Sequence, residues 1–361
     1  MKIALLGDAA SIHFLRWANS LAERGVEIVA ITLHEPLKGY DPRIEMVRIQ
    51  PPAPPGYVLA AYSLWRQVRV RNPDLVHAHY ASGYGTLAAL CCCRPLIISV
   101  WGSDVYEFPL RSIAHRRLLK HNLAAATRIT STSYAMKGQT RAFTARPIDV
   151  VPFGVDTRVF RPAHGQAKDA GITIGTVKTM AREYGIDTLI RAAALLASET
   201  TFPRFSLRIV GGGPDVEELQ QLAASLGLSS VTTFVGQVDY LSVPAEFNRF
   251  TVVAFPSRAS ESFGCAAVEA LACGIPVVAS DVPGFNEVLS GGQFGVLVSP
   301  DDPQALGEAL RDLVRSPENR RVLSEKGRKM VADRYEWAHC VAKMLHVYEV
   351  VVRDYLPSAQ L

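Results

Sequence analysis

A strand, a loop, a helix, a loop and a second strand are predicted by the stretch Ser257-Arg-Ala-Ser-Glu261-Ser-Phe-Gly264-Cys-Ala-Ala-Val-Glu269-Ala-Leu-Ala-Cys-Gly274-Ile-Pro276 and the apolar residues on either side of it. Residues 252–255 form an apolar run of strand length, and residues 266–273 are helix formers that end at Gly274. Such alternation is typical of a parallel sheet covered by helices. The stretch therefore predicts an α/β fold, with Glu261 in a loop and Glu269 inside the helix.

The same alternation extends along the chain in both directions. Strands are predicted at residues 3–6, 27–32, 75–78, 96–100, 128–131 and 149–151, and again at 173–177, 206–210, 232–235, 252–255, 276–280 and 295–298. Helices are predicted between them, for example at 14–24, 58–71 and 112–126. A polar stretch at 161–171 separates the two series. We expect two doubly wound, Rossmann-like domains, residues 1–165 and 166–335, followed by a long amphipathic helix at 336–361.

Several polar residues and glycines fall just beyond predicted strand ends, where open parallel sheets bind ligands. They are Gly7, His79, Asp104, Lys178, Gly212 and Glu261. At the helix start after Glu261, unpaired backbone N–H groups and the helix dipole favour a phosphate. The two carboxylates, Glu261 and Glu269, are acceptors suited to sugar hydroxyls, so the stretch could form a site for a sugar nucleotide. Taken alone, the pair is more simply a solvated loop acid and a surface helix acid, and the other motifs below favour the ligand site.

The composition is that of an ordinary soluble globular protein: 361 residues, 48% hydrophobic and 20% charged. No stretch has the length that a membrane-spanning helix needs, and the apolar run after Met1 is too short for a signal peptide. Six cysteines, three of them consecutive, lack the spacings of a disulfide framework or a zinc site. We therefore expect a cytoplasmic protein.

Positive charge is concentrated in the first half. Residues 1–165 contain 20 Lys and Arg against 11 Asp and Glu, whereas residues 166–361 contain 18 against 23. If the chain transfers the sugar of a sugar nucleotide, we expect the molecule that accepts the sugar to bind this basic half. Residues 110–121 can form a helix with apolar residues such as Leu110 and Ile113 on one side, which would either lie on anionic lipid or pack into its own domain. Nucleic acid is disfavoured because no aromatic-rich basic platform accompanies the charge.

Five ordered motifs, the opening stretch among them, resemble those of glycosyltransferase family four. The other four are Val151-Pro-Phe-Gly-Val-Asp156 with Phe160-Arg-Pro162, Gly175-Thr-Val-Lys178, Val210-Gly-Gly-Gly-Pro214, and Pro276-Val-Val-Ala-Ser-Asp-Val-Pro-Gly284 with Glu287. The resemblance is looser over the first half of the chain. It implies a retaining transferase of the GT-B type, with two domains facing across a cleft and the last helix returning to the first domain.

The resemblance also implies roles for individual residues. Glu269 would accept the ribose hydroxyls and Glu261 would contact the donor sugar, while Lys178 and Arg182 would stabilise the departing phosphate. Further donor contacts would come from Gly7, Asp8, His13, Gly212, Val238, Ser262, Phe263 and Gly264. The donor would be a nucleoside-diphosphate sugar, and no other cofactor is expected.

Two positions depart from the family pattern. Glu183 stands where a second lysine is usual, so Arg182 would have to supply that charge. Trp101 stands where many relatives have a histidine that touches the sugar. Asp104 or His79 would then orient the sugar or acceptor, or would be satisfied polar groups beside the site.

A catalytic metal is not expected, because the chain contains no Asp-x-Asp motif. Asp301-Asp302 is most simply a turn, and His77 with His79 lacks a third ligand nearby.

The sequence predicts a retaining glycosyltransferase that acts on a polysaccharide, glycolipid or lipid-linked acceptor at the cytoplasmic face of a membrane. Three alternatives remain open: a GT-B protein that binds sugar nucleotides with little catalysis, a sugar-nucleotide epimerase, and an NAD-dependent oxidoreductase. The last is disfavoured because Val210-Gly-Gly-Gly-Pro214 lacks the G-x-G-x-x-G spacing.

Overall fold

A computed structural model describes residues 1–163, 171–258 and 261–355, which form two compact units. The first unit comprises Met1–Phe153 and the chain from Ala338, and the second is Gly154–Trp337. The expected boundary at 165/166 lies outside the described residues, and the observed division at 153/154 comes earlier. The reason is that Val155 bridges to Glu336 and its N–H donates to the Tyr335 carbonyl at 2.8 Å, which ties this segment to the second unit.

The first unit is built on a parallel sheet of seven strands in the order β3-β2-β1-β4-β5-β6-β7. The strands are β1 Lys2–Leu6, β2 Glu27–Thr32, β3 Glu45–Arg48, β4 Leu75–His79, β5 Leu96–Val100, β6 Arg128–Ser131 and β7 Ile148–Val150. The helices are α1 Ile12–Glu23, α2 Gly56–Leu59, α3 Ala61–Arg71, α4 Gly83–Leu90, α5 Ser103–Tyr106, α6 Ile113–Ala125 and α7 Tyr134–Arg141. The central strands are apolar and buried on both faces, as helices on both sides of a sheet require.

Two features of this unit differ from the sequence expectation. Strand β3 was not predicted, because its Glu and Arg ends and half-buried middle are those of an edge strand. The helix expected at 58–71 is divided at Ala60 into α2 and α3, and α3 ends at Asn72, which takes a left-handed conformation before Pro73.

The final helix, α15 Trp337–Tyr355, belongs mostly to the first unit. Its Tyr348 is fully buried, and the hydroxyl lies 2.7 Å from Nδ1 of His77 on β4. Val341 and Val351 of the same helix are also buried. The amphipathic pattern of the last segment therefore corresponds to a packing face and one buried hydrogen bond.

The second unit is a parallel sheet of six strands in the order β10-β9-β8-β11-β12-β13. Its strands are β8 Ile172–Val177, β9 Phe205–Val210, β10 Thr232–Gly236, β11 Val252–Phe255, β12 Val277–Ser280 and β13 Val296–Val298. Its helices are α8 Ile186–Ser198, α9 Val216–Ser225, α10 Val243–Phe247, α11 Cys265–Ala272, α12 Pro283–Val288, α13 Pro303–Arg315 and α14 Pro317–Arg334. Because β8 lies between β9 and β11, the winding direction reverses there, which creates a crevice at the carboxyl ends of β8 and β11.

None of the helices in the described parts of the chain is both long enough and apolar enough to cross a membrane.

Three histidines of the first unit are held in an apolar environment. Burial lowers the pKa of His79 to about 3, and burial together with the nearby Arg16 lowers the pKa of His13 to about 4. Burial, and then the neighbouring His79, lowers the pKa of His77 well below its ordinary value. All three imidazoles are therefore neutral in the folded protein at neutral pH.

We predict that acid destabilises the first unit through these histidines. The unfolded chain binds protons with an ordinary histidine pKa of about 6.5, so stability is retained above that pH and falls as the pH decreases below it. His79 alone should reduce the free energy of unfolding by about 2 kcal/mol between about pH 7.5 and about pH 5. Urea unfolding followed by tryptophan fluorescence measures this, because Trp17, Trp65 and Trp101 lie in the first unit.

His79→Leu should reduce the slope of the unfolding free energy against pH relative to the parent protein, and the same substitution at the exposed His121 serves as the control. Asp104, whose pKa is raised chiefly by burial, acts in the opposite direction. Its contribution is present in the parent and in both variants, so the comparison isolates His79. An unchanged slope in His79→Leu would contradict the assignment.

Candidate active site

An ion pair joins the two central strands of the second sheet at their carboxyl ends. Lys178 follows β8 directly, and Glu261 lies in the loop after β11. The Lys178 Nζ lies 2.8 Å from Glu261 Oε2, and the two side chains are only 14% and 13% exposed. The structure thus brings together two residues that the sequence proposed for catalysis, although 83 positions separate them.

The surroundings of the pair keep the lysine charged. Burial alone would lower the pKa of Lys178, but the Glu261 carboxylate outweighs it and the pKa is raised. Nζ of Lys178 lies 4.4 Å from the centroid of the Tyr184 ring, which adds a cation–π contact. The Ser257 hydroxyl donates to Glu261 Oε2 at 3.3 Å. Lys178 therefore holds a positive charge at the carboxyl ends of the central strands β8 and β11.

At two glycines near Glu261, Gly264 and Gly284, the neighbouring atoms leave no room for a side chain. A Cβ on Gly284 would lie 2.2 Å from the Glu261 carbonyl oxygen. Gly264, with φ of +84°, is the N-cap of α11, and a Cβ there would lie 2.8 Å from the Phe285 ring. These contacts fix the loop that carries Glu261.

Helix α11 presents one partly exposed face along its length. Cys265, Ala266 and Glu269 are half-buried, whereas Ala267, Val268 and residues 270–272 are buried. Glu269 thus lies one turn beyond the helix start, on the face that solvent reaches. A ligand whose phosphates met the unpaired N–H groups of the first turn would extend past Glu269.

The remaining donor-binding candidates of this unit occupy the adjoining loops. Gly212 follows β9, and its carbonyl accepts from the Met180 N–H at 2.8 Å. Val238 is half-buried in the loop after β10. Ser262 is half-buried, and Phe263 is buried with its ring against Tyr335, so only the backbone of Phe263 could serve a ligand.

Arg182 lies in a short 3-10 helix, Arg182–Tyr184, and its side chain is exposed. Glu183, in the position expected for a lysine, is exposed as well. Arg182 therefore follows Lys178 by four residues in the sequence, but it is not part of the Lys178–Glu261 ion pair.

Arg258 is a residue of this site that sequence reasoning missed. Its guanidinium makes two hydrogen bonds to Asp187, at 2.7 and 2.6 Å, and two to Asp301 Oδ1, at 2.9 and 2.7 Å. Its own N–H donates to the Glu183 carbonyl at 2.8 Å. These hydrogen bonds raise the pKa of Arg258 above its ordinary value. Arg258 thereby fastens the 182–184 turn beside Lys178.

The aspartates expected to form a turn have separate structural roles. Asp301 binds Arg258, and Asp302 caps α13 by accepting from the Ala305 N–H at 2.9 Å. Within residues 1–163, 171–258 and 261–355, no group of three or more His, Cys, Asp or Glu has an arrangement suited to a metal ion.

In the first unit, Gly7 and Asp8 follow β1 as expected. A Cβ on Gly7 would lie 2.3 Å from the Phe14 ring. Asp8 Oδ1 accepts from the Ala10 N–H at 2.8 Å and lies 3.4 Å from His34 Nδ1. His34, which sequence reasoning missed, also lies 2.8 Å from the Tyr84 hydroxyl. No local sequence signal links these residues, because His34 and Tyr84 are 50 positions apart and meet only in the folded sheet.

An aromatic cluster surrounds His13 and His79. The His13 ring stacks on Phe153 with centroids 4.5 Å apart, and the His79 ring lies edge to face with Trp101 at 5.1 Å. Neither ring nitrogen of His79, nor Nδ1 of His13, has a hydrogen-bond partner among the described residues. His79 is therefore a candidate residue whose two ring nitrogens make no hydrogen bond to the described residues.

Asp104 is the opposite case, because it is a fully satisfied polar group. It is completely buried, and its oxygens accept from the N–H groups of Ala81, Trp101 and Gly102 at 2.8, 3.1 and 2.8 Å. Its carboxylate thus connects the loops after β4 and β5. Of the two readings that the sequence left open for Asp104, this geometry matches the satisfied group beside the site.

Comparison with known proteins identifies both halves of the chain. The model of the family "Glycosyl transferases group 1" matches residues 159–330, and that of "Glycosyl transferase 4-like" matches residues 2–133. The D-inositol 3-phosphate glycosyltransferase of Streptomyces scabiei is 31% identical over 329 residues, 81% of this chain and 71% of that protein. An uncharacterized glycosyltransferase of Methanocaldococcus jannaschii is 26% identical over 297 residues, 81% of this chain and 80% of that protein.

Solved structures agree on the fold. Sucrose-phosphate synthase from Thermosynechococcus elongatus has a TM-score of 0.85 at 22% identity, over 98% of this chain and 100% of that one. Anabaena HepE in complex with UDP and glucose has a TM-score of 0.81 at 19% identity, over 97% and 99% of the two chains. The predicted fold class is confirmed, and the chain belongs to the group 1, family-4-like glycosyltransferases of the GT-B fold.

Proposed function

We propose that this glycosyltransferase transfers a sugar, with retention of configuration, from a nucleoside-diphosphate sugar to a polysaccharide, glycolipid or lipid-linked acceptor. The observation that carries the proposal is the Lys178–Glu261 ion pair, little exposed to solvent, at the carboxyl ends of β8 and β11. The solved structures of Anabaena HepE with UDP and with UDP-glucose support a nucleotide-sugar donor. The acceptor would lie at the cytoplasmic face of a membrane.

Lys178 would stabilise the leaving group. As the bond to the sugar breaks, the departing diphosphate gains negative charge, and a fixed cation in a water-poor setting lowers that barrier. The raised pKa of Lys178 supports this role, because the side chain stays charged without the ligand. The exposed Arg182 would add a second positive charge when its flexible side chain turns towards the phosphates.

Glu261 would bind the hydroxyls of the donor sugar, and Glu269 those of the ribose. Glu261 also neutralises Lys178 before the donor arrives, which keeps two charged groups at the sheet edge without leaving either one buried alone. His79, the other candidate to orient a hydroxyl, is 2% exposed, so its unsatisfied imidazole would reach a hydroxyl only if the side chains around it moved. These contacts need no divalent ion, so we propose a metal-independent reaction.

Retention would follow a front-side route in which the leaving phosphate takes the proton of the acceptor. Proton NMR of the first-formed product of an α-linked donor checks this: an α-glycoside is expected, and a β-glycoside would contradict retention.

We predict that Lys178→Ala and Glu261→Ala each reduce kcat by at least about 100-fold, because each removes a group that acts in the transition state. Glu269→Ala should instead weaken nucleotide binding about tenfold with a smaller change in kcat. Release of nucleoside diphosphate measures turnover, after a thermal-shift screen of nucleotide sugars has identified the donor.

The Arg208–Glu246 pair is a matched control in the same unit, with an N–O distance of 2.6 Å and exposures of 24% and 12%. Arg208→Ala breaks a comparable ion pair on β9 and should leave turnover close to that of the parent protein. Wild-type kcat in Lys178→Ala or Glu261→Ala would refute the proposed mechanism. Saturable nucleotide binding without any turnover in the parent would favour a binding protein instead.

A further inference from the structure

The short helix pair α2–α3 exposes apolar side chains that a soluble surface normally hides. Val58, Leu59, Tyr62 and Val70 are 56% to 74% exposed, and Trp65 is 41% exposed. In α3, Leu64 is the buried residue that anchors the helix to the unit. Contiguous exposed apolar surface of this kind marks a place where a partner binds.

Arginines accompany these side chains. Arg66 and Arg69 are exposed, and neither forms an ion pair with a carboxylate in the described parts of the chain. The Arg69 guanidinium lies 5.2 Å from the Trp65 ring centroid, and the Tyr62 and Trp65 rings are stacked with centroids 5.8 Å apart. Aromatic rings next to cations are typical of proteins that bind at the headgroup level of a bilayer.

A second patch of the same character lies where the chain enters α6. This helix begins at Ile113 after the cap Ser112, so Leu110 lies before it and not inside a helix over 110–121 as the sequence suggested. Leu110 is 81% exposed and Ile113 is 72% exposed, with Arg116, Arg117 and Lys120 exposed beside them. The helix packs into the unit through other residues, such as Leu119 and Leu123. The stripe that contains Leu110 and Ile113 therefore does not pack into its own domain, which was one of the two interpretations that the sequence left open.

Both patches belong to the same layer of helices. Helices α2 and α3 pack against α4, and α6 packs against α4 as well. The surface formed by α2, α3 and the start of α6 is called the basic-aromatic surface below.

Charge across this layer is almost entirely positive. Residues 46–148 contain 13 Lys and Arg but only three acids, Asp74, Asp104 and Glu107. Asp104 is fully buried and Asp74 accepts from the backbone N–H of Lys2 in β1, whereas Glu107 is exposed. Just outside this range, Glu45 and Asp149 pair with Arg71 and Arg128, which leaves the other cations of the layer to set its charge. A surface with this charge is attracted to anionic lipid, and the attraction weakens as salt is added.

We propose that the basic-aromatic surface docks the first unit onto an anionic lipid bilayer, with Tyr62, Trp65, Leu110 and Ile113 entering the headgroup region and the arginines contacting lipid phosphates. A nucleic acid would satisfy the cations but would leave the aliphatic residues exposed to water. The inference deepens the membrane part of the proposed function. It does not depend on the identity of the donor.

The test is co-sedimentation of the full chain with vesicles of phosphatidylcholine alone or with about 30 mol% phosphatidylglycerol. Binding to the anionic vesicles only, weakened by salt, is expected. Tyr62→Ser with Trp65→Ser, and separately Arg66→Glu with Arg69→Glu, should each reduce partitioning at least about tenfold. These side chains are exposed, so the variants are expected to fold.

The second unit supplies matched controls. Arg191→Glu with Lys326→Glu makes the same change in net charge at exposed positions, and Leu241→Ser removes a side chain that is 76% exposed. Both should partition like the parent. Equal binding of the surface variants and the parent, equal binding to neutral vesicles, or no vesicle binding at all would overturn the inference. Nucleotide-induced thermal stabilisation of the same variants should be unchanged, so failure here is separable from failure of the proposed transferase activity.

Discussion

The pairing of Lys178 with Glu261 is the interaction on which the candidate site depends. Removing two charges from water is costly, and the cost is offset only when the geometry is good and each charge has its partner. Here a single contact of 2.8 Å joins the end of β8 to the loop after β11. These are the two strands at which the winding of the sheet reverses, so the ion pair marks the crevice that a parallel sheet offers to a ligand.

Close packing fixes the backbone that carries both residues of the pair. Gly284 allows the backbone to pass against Glu261. Arg258, itself anchored by Asp187 and Asp301, donates to the Arg182 and Glu183 carbonyls of the 182–184 turn. Groups that are already in position when charge develops stabilise a transition state more than groups that must first move. The loop that carries Glu261 and the turn beside Lys178 would therefore hold the proposed catalytic groups in place.

Much of this architecture follows from short-range pattern. Buried parallel strands are apolar runs of four to six residues, so strands such as Val252–Phe255 are evident from the sequence. The edge strand Glu45–Arg48 lacks that pattern, and the division between the units depends on the bridge from Val155 to Glu336, which only the folded chain brings together. The fold class was predictable, whereas its edges and boundary were not.

The site shows the same limit. Lys178 and Glu261 could be named because each belongs to a recognisable motif, and the structure places them in contact. Arg258 could not, because its partners are 71 and 43 positions away and no motif connects them. Asp104 had two interpretations until its oxygens were found to be occupied by backbone N–H groups. Which polar groups are satisfied is a property of the packed fold.

The most direct test is a crystal structure with a bound, non-transferable nucleotide sugar. The account predicts that the β-phosphate lies within hydrogen-bonding distance of Lys178 Nζ and that the Glu261 carboxylate contacts the sugar hydroxyls. Binding of the phosphates elsewhere, for example in the pocket lined by Arg328 and Lys329 at the other end of the sheet, would contradict it.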